Sequence, residues 1–209
     1  MSDADKIYVV DDDQSIRHSL TLLIEGIGRR IVTFASGAAF FAGFDPSDAA
    51  CIVLDVRLPD MDGISILQRL QKIDRPPPVL IITGHGDVPL AVKAMKAGAA
   101  DFIEKPFNGE TILERIETAL TAPPPNVAVA SDRRLDEVAA RLRQLTPRER
   151  EVLEKLVIGQ PNKIIAYELG ISPRTVENHR ARVMEKTQAK SLSHLVRMAM
   201  AAGINPDAP

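Results

Sequence analysis

Five short, nearly continuous apolar runs alternate with segments of helical periodicity through the first 122 residues of this 209-residue chain, and few folds accommodate that alternation. The runs are KIYVV at 6–10, RIVTF at 30–34, CIVLD at 51–55, VLIIT at 79–83 and DFIE at 101–104. Apolar side chains on successive strand residues mean that both faces are buried, as in a parallel sheet covered by helices. Between the first two runs, Ile16, Leu20, Leu23, Ile24 and Ile27 fall on one helical face, and periodic segments recur at 38–44, 64–70, 90–97 and 112–120. A (βα)5 pattern of this size implies an α/β fold, a doubly wound parallel sheet with right-handed crossovers. In such a sheet a site forms beyond the carboxyl ends of the strands.

The alternation stops at Ala122-Pro123-Pro124-Pro125, which cannot continue a helix and favours extended chain. After it, Ser131 or Asp132 can cap a new helix carrying Leu135, Val138, Leu142 and Leu145 at helical spacing. That stripe needs a partner surface, either a neighbouring domain or its own copy. Beyond it the chain reads as all-α. Thr146-Pro147-Arg148-Glu149 is a capping box with Pro at the first helical position. Its helix runs to Gly159, a second holds Ile164, Ile165 and Leu169, Ser172-Pro173 opens a third with Val176 and Val183 inward, and a fourth contains Leu192, Leu195, Val196 and Met200. The expected organisation is an α/β domain at 1–122, a Pro-rich linker and linker helix at 123–142, and a four-helix domain at 143–209.

Charge separates the two halves. Residues 1–122 carry 12 Lys and Arg against 18 Asp and Glu, a net of −6; residues 123–209 carry 14 against 10, a net of +4. The second half therefore suits a polyanion, although a solvated basic face is the commoner source of such an excess. Aromatics are only 4% with no Trp, which argues against a stacking platform for single-stranded nucleic acid. One cysteine, Cys51, excludes an internal disulfide framework and multi-cysteine metal sites. The N-terminus has no secretory pattern, and no run approaches the ~18 apolar residues that span a bilayer. A soluble, cytoplasmic protein without membrane contact is expected.

Ionisable residues fall at the strand ends. Asp11 and Asp12 end the first strand, Asp55 the third and Thr83 the fourth, while Lys105 follows the fifth. Three clustered carboxylates raise one another's pKa unless a cation joins them. Oxygen ligands favour a hard divalent ion, Mg2+ or Mn2+, together with a phosphate. A carboxylate in such a site can attack a phosphoryl group to form an acyl phosphate, with Lys105 neutralising its oxygens and Thr83 donating a hydrogen bond. Solvated loop polarity is the plainer alternative.

The segments VVDDD, VLDVRLPDMDG, IITGHGD and DFIEKPF resemble the receiver domain of two-component response regulators, over about residues 6–120. The resemblance implies a flavodoxin/CheY-like sheet, Asp55 as phosphoacceptor, and a metal held by Asp11, Asp12, Asp55 and the Arg57 backbone carbonyl. Thr83 and Lys105 take the positions of the switch hydroxyl and the phosphate-contacting lysine. Phe102 stands at the switch-aromatic position, where Tyr is frequent. Gly84 would keep the pocket open or make a turn, and Arg57 and His85 would shield the acyl phosphate or remain exposed loop side chains.

In the helical half, the Gly-containing turn before Ser172 is a helix-turn-helix signal, with the third helix entering the major groove. Its outer face carries Arg174, Glu177, Asn178, Ala181, Arg182 and Glu185. Asn178 and Arg182 suit adenine and guanine, and Glu177 can accept from cytosine. Lys163, Thr175, Arg180 and Lys186 are placed for phosphates, which position without specifying. A solvent-facing bundle helix is the competing reading. The text LTPREREVLEKLVIGQPNKIIAYELGISPRTVENHRARVMEKTQAKSLSHLVRMAM resembles the LuxR/NarL-type helix-turn-helix, and the whole chain is similar to the FixJ group of transcriptional regulators. Ile164 and Gln160-Pro161 depart from the commoner family text.

These resemblances imply a phosphorelay: a cognate histidine kinase loads Asp55, Thr83 and Phe102 rearrange, and the chain dimerises. Val92, Lys96 and Asp101 are the expected interface, with a Lys96–Asp101 pair across the dimer. The dimer would bind double-stranded promoter DNA, engage RNA polymerase and activate transcription, in circuits linked to oxygen or nitrogen fixation. An alternative is a haloacid-dehalogenase-like phosphatase using Asp11-Asp12-Asp13-Gln14-Ser15, with Asp11 as nucleophile. The receiver reading makes the chain no enzyme beyond assisting its own Mg-dependent phosphorylation and dephosphorylation.

Overall fold

The computed structural model describes residues 6–84, 88–121 and 132–204. Expectations for His85, for the prolines at 123–125 and for the side chain of Leu135 lie outside the described residues. The chain forms an α/β unit followed by a helical one.

In the first, β1 (Lys6–Val10), β2 (Arg30–Phe34), β3 (Ala49–Asp55), β4 (Val79–Thr83) and β5 (Asp101–Glu104) form one parallel sheet in the order β2-β1-β3-β4-β5. This is the strand order of flavodoxin-like sheets. The connecting helices are α1 (Gln14–Gly26), α2 (Gly37–Gly43), α3 (Gly63–Leu70) and α4 (Val88–Lys96), with α5 (Gly109–Thr121) after the last strand. The central strands β1, β3 and β4 are buried nearly throughout. Edge strand β2 is not, its residues being partly or fully exposed, because one of its sides lacks a neighbouring strand. Alternate residues serve two layers. Ile7, Val9, Val53, Leu80, Ile82 and Ile103 pack with Leu20 and Ile24 of α1 and Ile112 and Ile116 of α5. On the other face the Tyr8 ring meets Phe34, Phe40 and Phe44. The register matters for the site: Val10 pairs with Leu54, Asp55 with Ile82 and Thr83 with Glu104, so the residues that follow or end these strands share one rim.

The helical unit contains α6 (Asp132–Arg143), α7 (Pro147–Ile158), α8 (Asn162–Leu169), α9 (Pro173–Thr187) and α10 (Leu192–Ala201). The stripe after the proline run finds its partner here: Leu142 and Leu145 join Leu153, Val157, Val183, Leu195 and Met198 in one core, with Val138 packed against it. Packing of this unit thus begins before residue 143. The capping box at α7 is complete, Thr146 Oγ1 accepting from the Glu149 amide and Glu149 Oε2 from the Thr146 amide at 2.8 Å. Gly170, in the left-handed region at φ 65°, turns α8 into α9, whose first turn Ser172 caps. A residue with a Cβ is disfavoured at that φ.

Candidate functional site

Asp11 immediately follows β1 and is fully buried; Asp55 ends β3 at 5% exposure; Asp12 is exposed. One carboxylate oxygen from each lies within 4.8 Å of the others. Lys105, just past β5, donates to Asp11 Oδ2 and to Asp55 Oδ2, both at 2.6 Å. Its amide donates to the Thr83 carbonyl at 2.8 Å, which continues the β4–β5 ladder and fixes where the ammonium enters. The Lys105–Pro106 peptide is cis. The remaining carboxylate oxygens are held by backbone: Asp11 Oδ1 accepts from the Asp13 amide at 2.9 Å and Asp55 Oδ1 from the Arg57 amide at 3.0 Å. Asp13 in turn caps α1 by accepting from the Ser15 amide, and Arg17 on that helix donates to the Asp11 carbonyl at 2.7 Å.

The electrostatics are unbalanced. Burial pushes the Asp11 carboxyl above the usual carboxylate range, and the Lys105 and Asp13 hydrogen bonds only partly oppose it. Burial also works against the Lys105 ammonium, but its bonds to Asp11 and Asp55 outweigh that and raise its pKa. Three carboxylates therefore share one ammonium. Hard oxygen donors in excess of positive charge, one of them open to solvent, fit a hard divalent cation such as Mg2+.

The surrounding backbone is shaped for this cluster. A Cβ on Gly63 would stand 2.3 Å from the Asp55 carbonyl oxygen, so only glycine lets α3 start against the peptide of Asp55. A Cβ on Gly84 would meet nothing within 4 Å among the described residues, so none of those atoms demands a small residue there. Thr83 is buried at the end of β4 and Phe102 is half-buried on β5.

The expected interface residues fall on α4 and at the start of β5. Val92 on α4 is buried and Lys96, at its end, is exposed. Asp101 differs from the expected exposed partner of Lys96: it is 5% exposed, its Oδ2 accepts from Arg115 of α5 at 3.1 Å and its Oδ1 from the Phe102 amide at 2.8 Å. A carboxylate placed below the surface must be paired and hydrogen-bonded, and α5 supplies the pair within the same unit.

On α9, Val176 and Val183 are buried while Arg174, Glu177, Asn178, Ala181, Arg182 and Glu185 are all exposed, forming one polar face. Lys163 on α8 is exposed as well. Thr175, Arg180 and Lys186 are engaged with the scaffold. Thr175 Oγ1 lies 2.8 Å from Ser172 Oγ, and Arg180 donates to Asn162 Oδ1 of α8 at 3.0 Å, its pKa lowered by burial. Lys186 donates to the buried Glu149 at 2.7 Å. Arg17, Gly63 and Arg115 went unassigned at the level of sequence, and Asp13 entered only through the phosphatase alternative. Asp13 alone carried a local signal, an Asp just before a helix.

Comparison with known proteins assigns both halves. Residues 7–117 match the response regulator receiver domain and residues 143–199 match the luxR family of bacterial regulatory proteins. The chain belongs to the response regulators that couple a receiver to a luxR-family DNA-binding domain. Within that class it is FixJ-like: it is 48% identical over 201 residues to the transcriptional regulatory protein FixJ of Bradyrhizobium diazoefficiens, covering 96% of this chain and 97% of that one. The FixJ of Rhizobium meliloti is 49% identical over 203 residues, with 96% and 97% covered. Full-length FixJ from B. japonicum superposes with a TM-score of 0.51 at 48% identity, covering 95% and 97% of the two chains. The response regulator StyR gives 0.53 at 38% identity, covering 93% and 98%. The protein is thus a phosphorylation-responsive transcription regulator that works with a histidine kinase and DNA; it is not a classical enzyme, and the phosphatase alternative is not favoured. Among the described residues, no helix is long and apolar enough to cross a membrane.

Proposed function

We propose that Asp55 accepts a phosphoryl group from the phosphohistidine of a cognate kinase and that this modification turns on DNA binding by α9. One observation carries the reading: Lys105 Nζ bridges Asp55 and Asp11 at 2.6 Å each, so the acceptor oxygen already sits beside the cation that a phosphoryl group needs. The Asp55 carboxylate attacks phosphorus, the P–N bond breaks, and the imidazole leaves with the electron pair. Lys105 then follows the new charge from the carboxylates to a phosphoryl oxygen, and the Thr83 hydroxyl donates to another. Asp11, Asp12, Asp55 and the Arg57 carbonyl would hold Mg2+ or Mn2+, which when bound would supply the charge neutralisation that lets two anions approach. Movement of Thr83 leaves room for Phe102, and this pair is the two-position element that phosphorylation biases. Hydrolysis of the acyl phosphate, in which water attacks phosphorus and the Asp55 carboxylate leaves, resets the chain.

The receiver extends over 1–122, the linker over 123–142 and the DNA-binding domain over 143–209, with α6 packed on the last. The phosphorylated chain dimerises through the α4–β5–α5 surface around Val92, Lys96 and Asp101. The Asp101–Arg115 bond is the contact that must be exchanged if Lys96 of a second copy is to reach that carboxylate. Two copies of α9 then read paired half-sites of promoter duplex: Arg174, Glu177, Asn178 and Arg182 face base edges, Lys163 faces phosphate, and Thr175, Arg180 and Lys186 steady the helix beside the backbone. RNA polymerase is recruited by the DNA-bound dimer in the cytoplasm. By its resemblance to the FixJ group, the target genes are ones linked to oxygen or nitrogen fixation.

Labelling with a small phosphodonor, acetyl phosphate plus Mg2+, tests the acceptor. Wild type and Asp11→Asn retain Asp55 as the only phosphorylated carboxylate, Asp11→Asn at reduced rate, whereas Asp55→Asn takes up no label. Wild-type labelling of Asp55→Asn would contradict the assignment.

A further inference from the structure

The loop between Asp55 and α3 is fastened at three levels. At its base, Asp55 Oδ1 accepts from the Arg57 amide at 3.0 Å. At its neck, Gly63 donates to the Val56 carbonyl at 2.8 Å and Arg57 pairs with Asp62 as an isolated antiparallel bridge. At its tip, Asp60 reaches a different element: its Oδ1 accepts from the Gly37 amide at 3.0 Å and its Oδ2 from the Ala38 amide at 2.7 Å. These are first-turn amides of α2, whose next amide, Ala39, is taken by Ser36 Oγ at 3.2 Å. The neighbouring Met61 side chain fills the space above Gly37, where a Cβ would stand 2.5 Å from its Cγ and Sδ.

Asp60 is exposed, so no packing requirement explains an acid there. It is three residues from Arg57 and five from Asp55, and it is bonded across the β2–α2 junction. A six-residue loop closed only at its neck leaves its peptides free to rotate. A carboxylate taking two amides, at the positive end of a helix, removes that freedom.

We propose that Asp60 is a positioning residue for the phosphoacceptor site: by clamping the tip of the 57–62 loop to the first turn of α2, it holds the backbone of Arg57 in the orientation that completes the metal site. This rests on the reading of Asp55 as acceptor and of the Arg57 carbonyl as ligand. It assigns to α2 a part in metal binding although none of the ligands proposed for the metal lies on α2. Partners that orient ligands commonly change metal affinity by about 10–100-fold when removed.

The test uses the full chain, acetyl phosphate as donor and a Mg2+ titration, with Asp55→Asn as the control. Asp60→Ala should raise the Mg2+ concentration for half-maximal labelling by about tenfold or more. Asp60→Asn retains one acceptor oxygen and should recover part of that loss. Thermal unfolding without Mg2+ is recorded for both variants. A lowered melting temperature with an unchanged Mg2+ midpoint in either folded variant overturns the proposal, because a merely structural contact moves the first and not the second. If Asp60→Ala does not fold, the Mg2+ midpoint of Asp60→Asn decides alone. Absence of label on wild type, or full label on Asp55→Asn, would instead defeat the acceptor assignment on which the proposal stands.

Discussion

Lys105 holds together two carboxylates that would otherwise face each other with no cation between them. Replacing it by an isosteric apolar side chain leaves two buried anions uncompensated, which costs about 3 kcal/mol. Lys105→Met should lower urea-unfolding stability by that order without Mg2+, and saturating Mg2+ should restore most of it by substituting one cation for another. Equal losses with and without the ion would show that the ammonium is not the charge that balances the site. A second buried acid has the opposite balance. Burial favours the neutral form of Glu149, but the Lys186 ammonium and the Thr146 amide outweigh it and hold its pKa below the usual 4.5. A carboxyl whose folded pKa is depressed contributes stability above its unfolded value and loses it as pH falls through the folded one. Glu149→Gln should therefore destabilise the chain at pH 7, by about 1–2 kcal/mol for the lost charged hydrogen bonds. Its stability curve should converge with wild type as pH falls through that depressed folded value, as equilibrium unfolding from neutral to acid pH would reveal. A gap independent of pH would contradict the ionic role.

At the scale of elements, the helical unit contains one non-glycine residue, among those described, in the left-handed region: Gln188, φ 56°, closing α9. A side chain there costs about 1 kcal/mol relative to glycine. Gln188→Gly should raise the unfolding free energy of the helical unit, read from its denaturant curve, by about 1 kcal/mol with DNA affinity unchanged; a loss of stability would mean that the Gln188 side chain holds a contact worth more than the strain. Most elements were legible in the sequence because their signals are local. The apolar runs at 6–10, 30–34, 79–83 and 101–104 coincide with β1, β2, β4 and β5, and the Thr146 and Ser172 caps stand where their spacing puts them. β3 begins two residues earlier than its apolar run, at Ala49, since pairing beside Lys6 rather than β propensity recruits those alanines. The stripe of α6 was visible but not its partner: periodicity reports that a face is buried, while Leu153 and Val183 lie ten to forty residues onward. The same limit applies to single contacts. The strand-end acids and Lys105 could be grouped because topology sends every strand end to one rim. Asp101 with Arg115, and Asp60 with Gly37 and Ala38, could not, because sequence pattern does not encode where a loop tip or a buried acid turns its side chain.

For the whole molecule, the opposite net charges of the two halves divide the labour. The acidic half concentrates carboxylates where a cation and a phosphate can be exchanged, and the basic half offers α9 to a polyanion whose binding falls steeply with salt. The central claim is that loading Asp55 increases the grip of the helical half on duplex DNA. The most direct test measures affinity for a duplex selected from a random library, with mass by light scattering in parallel, for wild type and Asp55→Asn, each with and without beryllofluoride and Mg2+. Wild type should pass from monomer to dimer and bind at least tenfold more tightly once loaded, while Asp55→Asn changes in neither respect. A wild-type chain that takes up the phosphate mimic while its mass and DNA affinity stay constant would contradict the account.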